Sequence, residues 1–340
     1  MRLDFLFLLL GIFLSTSCSS QLADAKDPDK IYGLSFVASN RELASEDIIP
    51  VKEVNANWVA LMPFGFMNTA QDPAVRFNTS RQWWGEREEG IRTTSGLFKD
   101  QNIKRMLKPQ IWIRGGAFTG VIEMSTEEDW KLFEAQYKAF ILFYATLAQN
   151  EDFEMFCIGT ELNYFVVQRT AFWDELITEI KQVYSGKLTY AANWDSYKNP
   201  KFWKRLDYIG VDAYFPLSEN STPSVGTLKT AWTPIKASLK NFSEATKKSV
   251  IFTEYGYRSI DFTAREPWDS NVEENFNETA QSNALNALYD TFWEASWFAG
   301  GFLWKWFDHT DAGGKGHTGF TVQNKSTEKT VQDFYPPIHD

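Results

Sequence analysis

Along most of the chain one unit recurs: a short apolar run of strand length, then a segment whose apolar positions return every three and four residues. The strand-length runs are 31–37, 57–63, 108–114, 153–162, 187–194, 207–214, 250–256 and 300–306. Between them, Trp130, Phe133, Tyr137, Phe140, Tyr144 and Leu147 mark a helix opened by a capping box of Ser125 and Glu128. Trp173, Leu176, Ile177 and Ile180 mark a second over 172–183, and further helices are expected over 228–245 and 280–296. The segment 64–97 is long for a loop and holds Pro73, Trp83, Trp84, Gly85 and many charges, which suggests a functional loop. A polar loop over 259–278 carries Trp268. Eight apolar strands separated by helix-length segments predict an α/β fold, a single eight-stranded β/α (TIM) barrel.

Two of the runs end in a lone carboxylate. Strand four carries Glu161 at its end and strand seven carries Glu254 at the same relative depth. Strict alternation would put Cys157, Gly159 and Glu161 on one face. All strands of such a barrel point the same way, so both acids open onto one cleft at its C-terminal face. Glycoside hydrolysis needs such a pair: one carboxyl keeps a proton for the leaving oxygen while the other stays ionised. In retaining enzymes the two stand about 5–5.5 Å apart, close enough for the ionised one to attack the sugar carbon.

Composition narrows the partners. A formal net charge of -10 argues against nucleic acid, which needs clustered Lys and Arg, and is compatible with a neutral polysaccharide or oligosaccharide. Aromatic residues at 16%, including 14 Trp, exceed what a core requires and supply flat platforms for sugar faces. The first residues read as a targeting segment: Arg2, an apolar stretch over 5–14, then Ser15, Thr16 and Ser17 before Cys18. This resembles a bacterial lipoprotein signal. The expected division is a signal peptide over 1–17, a tether over 18–29 lipidated at Cys18, and one hydrolase barrel over 30–340. The expected location is the bacterial cell envelope, at the outer membrane or cell surface, held by the lipid alone. A cleaved secretory signal, giving a secreted or periplasmic protein, is the alternative. After processing only Cys157 remains, so no intramolecular disulfide is expected.

The chain is similar to glycoside hydrolase family 113, β-mannanases of the retaining barrel clan, over most of residues 30–308. The resemblance rests on Ile158-Gly159-Thr160-Glu161-Leu162, Phe252-Thr253-Glu254-Tyr255-Gly256, Leu107-Lys108-Pro109-Gln110-Ile111-Trp112 and Gly301-Phe302-Leu303-Trp304. It implies Glu161 as acid/base and Glu254 as nucleophile, acting on β-1,4-mannosidic linkages. Many relatives in the clan have Asn just before the acid/base where this chain has Thr160, and Asn193 at the end of strand five is the expected substitute.

Other positions are weighed against structural roles. Arg114, at the end of strand three, is either a charge partner for Glu254 or an exposed loop arginine. Tyr214 and Tyr255 are candidates to orient the nucleophile, Asp212 is a neighbouring acceptor or third acid, and one of Trp304 and Trp306, read as sharing a face, is expected under the reacting sugar. Trp83, Trp84, Trp194 and Trp268 are candidate outer platforms. No metal or other cofactor is expected: His309, His317 and His339 cluster near the C-terminus without ligand spacing, and no Gly-x-Ser-x-Gly elbow is present. The rival readings are a glycan-binding surface lipoprotein without chemistry, or a hydrolase of another β-glycan.

Overall fold

A computed structural model describes Asp27 and residues 29–337. The expected signal, Cys18, most of the tether and His339 lie outside the described residues. The strands are β1 (Ile31–Phe36), β2 (Trp58–Leu61), β3 (Phe64–Met67), β4 (Lys104–Leu107), β5 (Gln110–Ile113), β6 (Met155–Thr160), β7 (Lys187–Asn193), β8 (Tyr208–Asp212), β9 (Ser249–Tyr255) and β10 (Phe298–Trp306). The helices are α1 (Ser45–Glu53), α2 (Glu88–Asp100), α3 (Glu127–Asn150), α4 (Asn163–Gln168), α5 (Thr170–Val183), α6 (Val225–Thr246), α7 (Glu278–Phe292) and α8 (Ser326–Phe334). Eight strands close a barrel in the order β1-β10-β9-β8-β7-β6-β4-β2, every pairing parallel. Among the described residues no helix is long and apolar enough to cross a membrane.

Alternation along the strands builds two cores. Ile31, Trp58, Ala60, Met106, Met155, Cys157, Ala191, Ile251 and Phe302 point inward and fill the barrel axis. Their neighbours, such as Val59, Phe156, Ile158 and Phe252, face the helices and join a far larger outer cluster. β1 and β10 approach closely at Gly300, whose φ is 109° and where a side-chain carbon would lie 2.1 Å from the Ile31 carbonyl oxygen.

The structure corrects several expectations. The third barrel strand is β4, ahead of the expected 108–114. Pro63 and Pro109 lack the N–H that a continuing barrel ladder needs, and the chain resumes after each as β3 and β5. These two pair in parallel only with each other, rising beyond the barrel rim. The latter part of 64–97 is helical: Ile91, Thr94, Ser95 and Phe98 are the buried stripe of α2. Helix α3 is capped by Thr126, whose hydroxyl accepts from the Asp129 N–H at 3.1 Å, rather than by Ser125. Strict alternation fails at the end of β6, where the four residues from Cys157 to Thr160 oppose three on β7, Thr189 to Ala191. A side chain at Gly159 would face Tyr137 and Trp173 on the helix side, and Glu161 reaches the cleft from beyond the strand at a φ of 53°.

Candidate active site

A cavity of about 650 Å³ opens at the C-terminal end of the barrel, and Glu161 and Glu254 both line it. Around them stand Thr160, Gln110, Trp304 and Lys305, with Trp83, Trp112 and Phe118 further out. The last three are exposed large aromatics, carried by the loop before α2, by β5 and by the loop after β5. The detached β3–β5 pair therefore forms one wall of the cleft.

Glu254 is buried and ringed by donors. Lys108 and Gln110 both reach its Oε1, Gln110 through Nε2 at 3.1 Å, and the Tyr214 hydroxyl donates to Oε2 at 2.9 Å. Such convergence on a carboxylate gives charge-assisted hydrogen bonds and fixes the plane of the group. Lys108 is fully buried at the end of β4, and its ammonium also lies 3.7 Å from the Asp212 carboxylate. Burial alone would pull its pKa down, but Asp212 and Glu254 outweigh that and leave it above the ordinary lysine value. Asp212 is itself wholly buried and takes a 2.7 Å hydrogen bond from Thr253 Oγ1, while its Oδ2 has no protein partner. Burial pushes Asp212 up to about 7, with Lys108 opposing and Glu254 adding to the rise. Thr253 reaches Asp212 because β9 carries one extra residue against β8 between the pairs Val211–Phe252 and Asp212–Glu254.

Glu161 has the opposite surroundings. No described residue donates to its carboxyl, and burial holds it well above the usual carboxylate range, with the charges of Asp212 and Glu254 raising it further. These surroundings favour its neutral form over its ionised one. The cleft holds one carboxyl without a donor among the described residues and one anchored by a cation, an amide and a phenol.

Among the other expected residues, Tyr214 meets Glu254, and Trp304 lines the cavity half-exposed. Arg114 does not hold Glu254: it is exposed beyond β5, and Lys108, at the other side of Pro109, takes that position. Tyr255 does not orient the nucleophile; it faces the helices, its hydroxyl 2.8 Å from that of Tyr335. Trp306 is buried in the outer core, because β10 carries an extra residue between its pairings at Leu303 and Trp306, so the two tryptophans do not share a face. Asn193 ends β7 half-buried with an unpartnered Oδ1, outside the residues that line the cavity. Trp194 stacks on Trp268 at a centroid distance of 5.2 Å, also off the cavity wall, and Trp84 packs against the core. Lys108 and Gln110 escaped the sequence reading; the signal was a lysine inside an apolar run, directly before a proline. Among the described residues no cluster of His, Cys, Asp or Glu is built to hold a metal.

A parallel barrel that gathers two carboxyls of contrasting surroundings in one aromatic-walled cleft has the kind of site that glycoside hydrolysis by two acids needs. The sequence profile of glycoside hydrolase family 113 matches residues 38–325, and the chain belongs to that family and is a glycoside hydrolase. Its fold is similar to that of the family 113 β-mannanase from Alicyclobacillus acidocaldarius, with a TM-score of 0.81, 24% identity, and coverage of 91% of this chain and 98% of that one. A second family 113 β-1,4-mannanase superposes with a TM-score of 0.80 at 21% identity, covering 90% and 99% of the two chains. A β-glucuronidase from Faecalibacterium prausnitzii shares the barrel more distantly, at a TM-score of 0.61 and 15% identity, over 92% of this chain and 49% of that one. No curated protein sequence matches.

Proposed function

We propose that the protein cleaves β-1,4-mannosidic linkages in mannans or manno-oligosaccharides with retention of configuration. Family membership supports glycoside hydrolysis, and the mannanase neighbours support the choice of sugar. The observation that carries the mechanism is the contrast between Glu161 and Glu254 across one cavity. In the first step the Glu161 carboxyl gives its proton to the glycosidic oxygen while Glu254 attacks the anomeric carbon, and the leaving sugar departs as an alcohol. Glu254 is then an ester and carries no charge. One of the charges that raised Glu161 is gone, so Glu161 ionises more readily and can take a proton from water. That water attacks the anomeric carbon and frees Glu254. Trp304 offers its face to the sugar undergoing reaction. The lipoprotein-like N-terminus supports a place in the cell envelope.

The test is reducing-end release from mannan, glucomannan, xylan and cellulose oligosaccharides, with the anomer of the first product read by NMR. Retained β-product from mannan, and loss of nearly all turnover in Glu254→Ala with partial rescue by azide giving an inverted product, are the expected results. Inverted product from the unaltered enzyme, or full activity in Glu254→Ala, would overturn the assignment.

A further inference from the structure

Five charged side chains line the cavity: Arg81, Glu86, Glu161, Glu254 and Lys305. Glu254 is matched by Lys108. Burial and the neighbouring acids push Glu161 up and favour its neutral form, and Glu86, pushed up by burial, is hydrogen-bonded by Gln82 at 3.3 Å. Neither of the two cations has an acid within ion-pair distance among the described residues, although the charge of Glu254 is felt at Lys305 and opposes the effect of burial there. Lys305 follows Trp304 directly, and its ammonium lies 5.3 Å from the ring centroids of both Trp304 and Phe307. No described residue forms a hydrogen bond or ion pair with it, although it is only half-exposed and burial pulls its pKa down. Arg81 is likewise unpaired among the described residues, exposed on the same cleft. A protein of net charge -10 thus presents unmatched positive charge where its glycan enters.

A partly dehydrated ammonium between two aromatic faces gains a modest cation–π attraction and lacks the acceptor its three N–H groups call for. A group on the ligand can supply that acceptor. Neutral hydroxyls would do so weakly; an anion would do so with a charge-assisted bond and would also match the free charge of Arg81. We propose that Lys305 is a specificity-determining residue that binds the carboxylate of an acidic, uronic-type sugar within the glycan chain, with Arg81 as a second cation for the same charge. The preferred substrate is then an acid-substituted β-glycan rather than a wholly neutral one. This extends the proposed glycan cleft and does not depend on the backbone being mannan.

The experiment measures binding, by titration calorimetry, to the otherwise unaltered protein carrying Glu254→Gln, so that no probe is consumed. The probes are β-1,4-manno-oligosaccharides and β-1,4-gluco-oligosaccharides, each neutral or with a fraction of C6 hydroxymethyl groups oxidised to carboxylates. The expected result is at least tenfold tighter binding of the carboxylated probe on one backbone, weakening with added salt. Adding Lys305→Gln should abolish that difference, while Lys305→Arg, which keeps the charge, should retain it. Equal binding of neutral and carboxylated probes on both backbones, absence of binding by either carboxylated probe, or a preference that survives Lys305→Gln would each overturn the proposal. A preference on the glucan backbone alone would uphold Lys305 while refuting mannan, so the two readings fail separately.

Discussion

Replacing Lys108 by Met removes the one cation shared by two buried carboxylates and leaves a side chain of similar length. Lys108 is fully buried, the Asp212 side chain is 1% exposed and that of Glu254 10%, so water cannot replace the lost charge. Breaking a buried pair by deleting one partner typically costs about 3–5 kcal/mol, because the remaining charge is uncompensated. For a chain of 340 residues that is roughly 4–8 °C in melting temperature. The penalty belongs to ionised carboxylates, and Asp212, already at about 7, rises further once Lys108 no longer opposes burial. The deficit should therefore be largest near pH 8 and shrink as pH falls below about 7, as Asp212 takes up its proton in the folded protein. Turnover at pH 7 should drop at least a hundredfold, since Gln110 and Tyr214 alone would position Glu254. Adding Asp212→Asn removes one of the two stranded charges and should restore part of the stability, a coupling that a double-mutant cycle reads directly. Scanning calorimetry across this pH range, with initial rates on the oligosaccharide substrate, is the assay. A Lys108→Met protein that melts with the unaltered one at pH 8, or whose deficit does not shrink as pH falls, would refute the electrostatic account.

Two further substitutions separate roles that the chain places side by side. Glu161 has a folded pKa above its unfolded value, so its contribution to stability is full below about pH 4 and is lost as pH rises through the folded pKa. Glu161→Gln should therefore melt higher than the unaltered protein at pH 8 and lose that advantage near pH 4, while losing acid-dependent turnover; an equal melting temperature at pH 8 would show that Glu161 carries no buried-charge penalty. Trp304→Ala should raise KM at least tenfold with little change in melting temperature, whereas Trp306→Ala should cost about 3–5 kcal/mol of stability, as expected for a buried tryptophan truncated in a core. Reversal of those two outcomes would place the wrong tryptophan in the cleft.

The barrel was legible because its strands are buried on both faces and so read as continuous apolar runs, and Glu161 and Glu254 stood out as lone acids ending two of them. What alternation could not reveal were the places where a strand gains a residue. The bulge before Thr160, the extra Thr253 and the irregularity between Leu303 and Trp306 each change which side chains face inward. Trp306 was misplaced for this reason, and Thr253 gained a partner in Asp212 that a regular strand would have denied it. Lys108 and Arg114 belong to a single apolar run, and only recognition that Pro109 ends the barrel strand tells which cation reaches Glu254. Helix α2 was obscured by its charged surface, although its buried positions keep helical spacing.

The central claim is that Glu254 forms a bond to the sugar while Glu161 handles the proton. Incubation with a 2-deoxy-2-fluoro-β-mannosyl fluoride, which slows breakdown of a glycosyl ester more than its formation, followed by mass spectrometry of peptic fragments, tests it most directly. One fluorosugar per chain, attached to Glu254, is the expected result. A label on Glu161 or on any other residue, or none in an enzyme that still cleaves its substrate and is inactivated by the reagent, would contradict it.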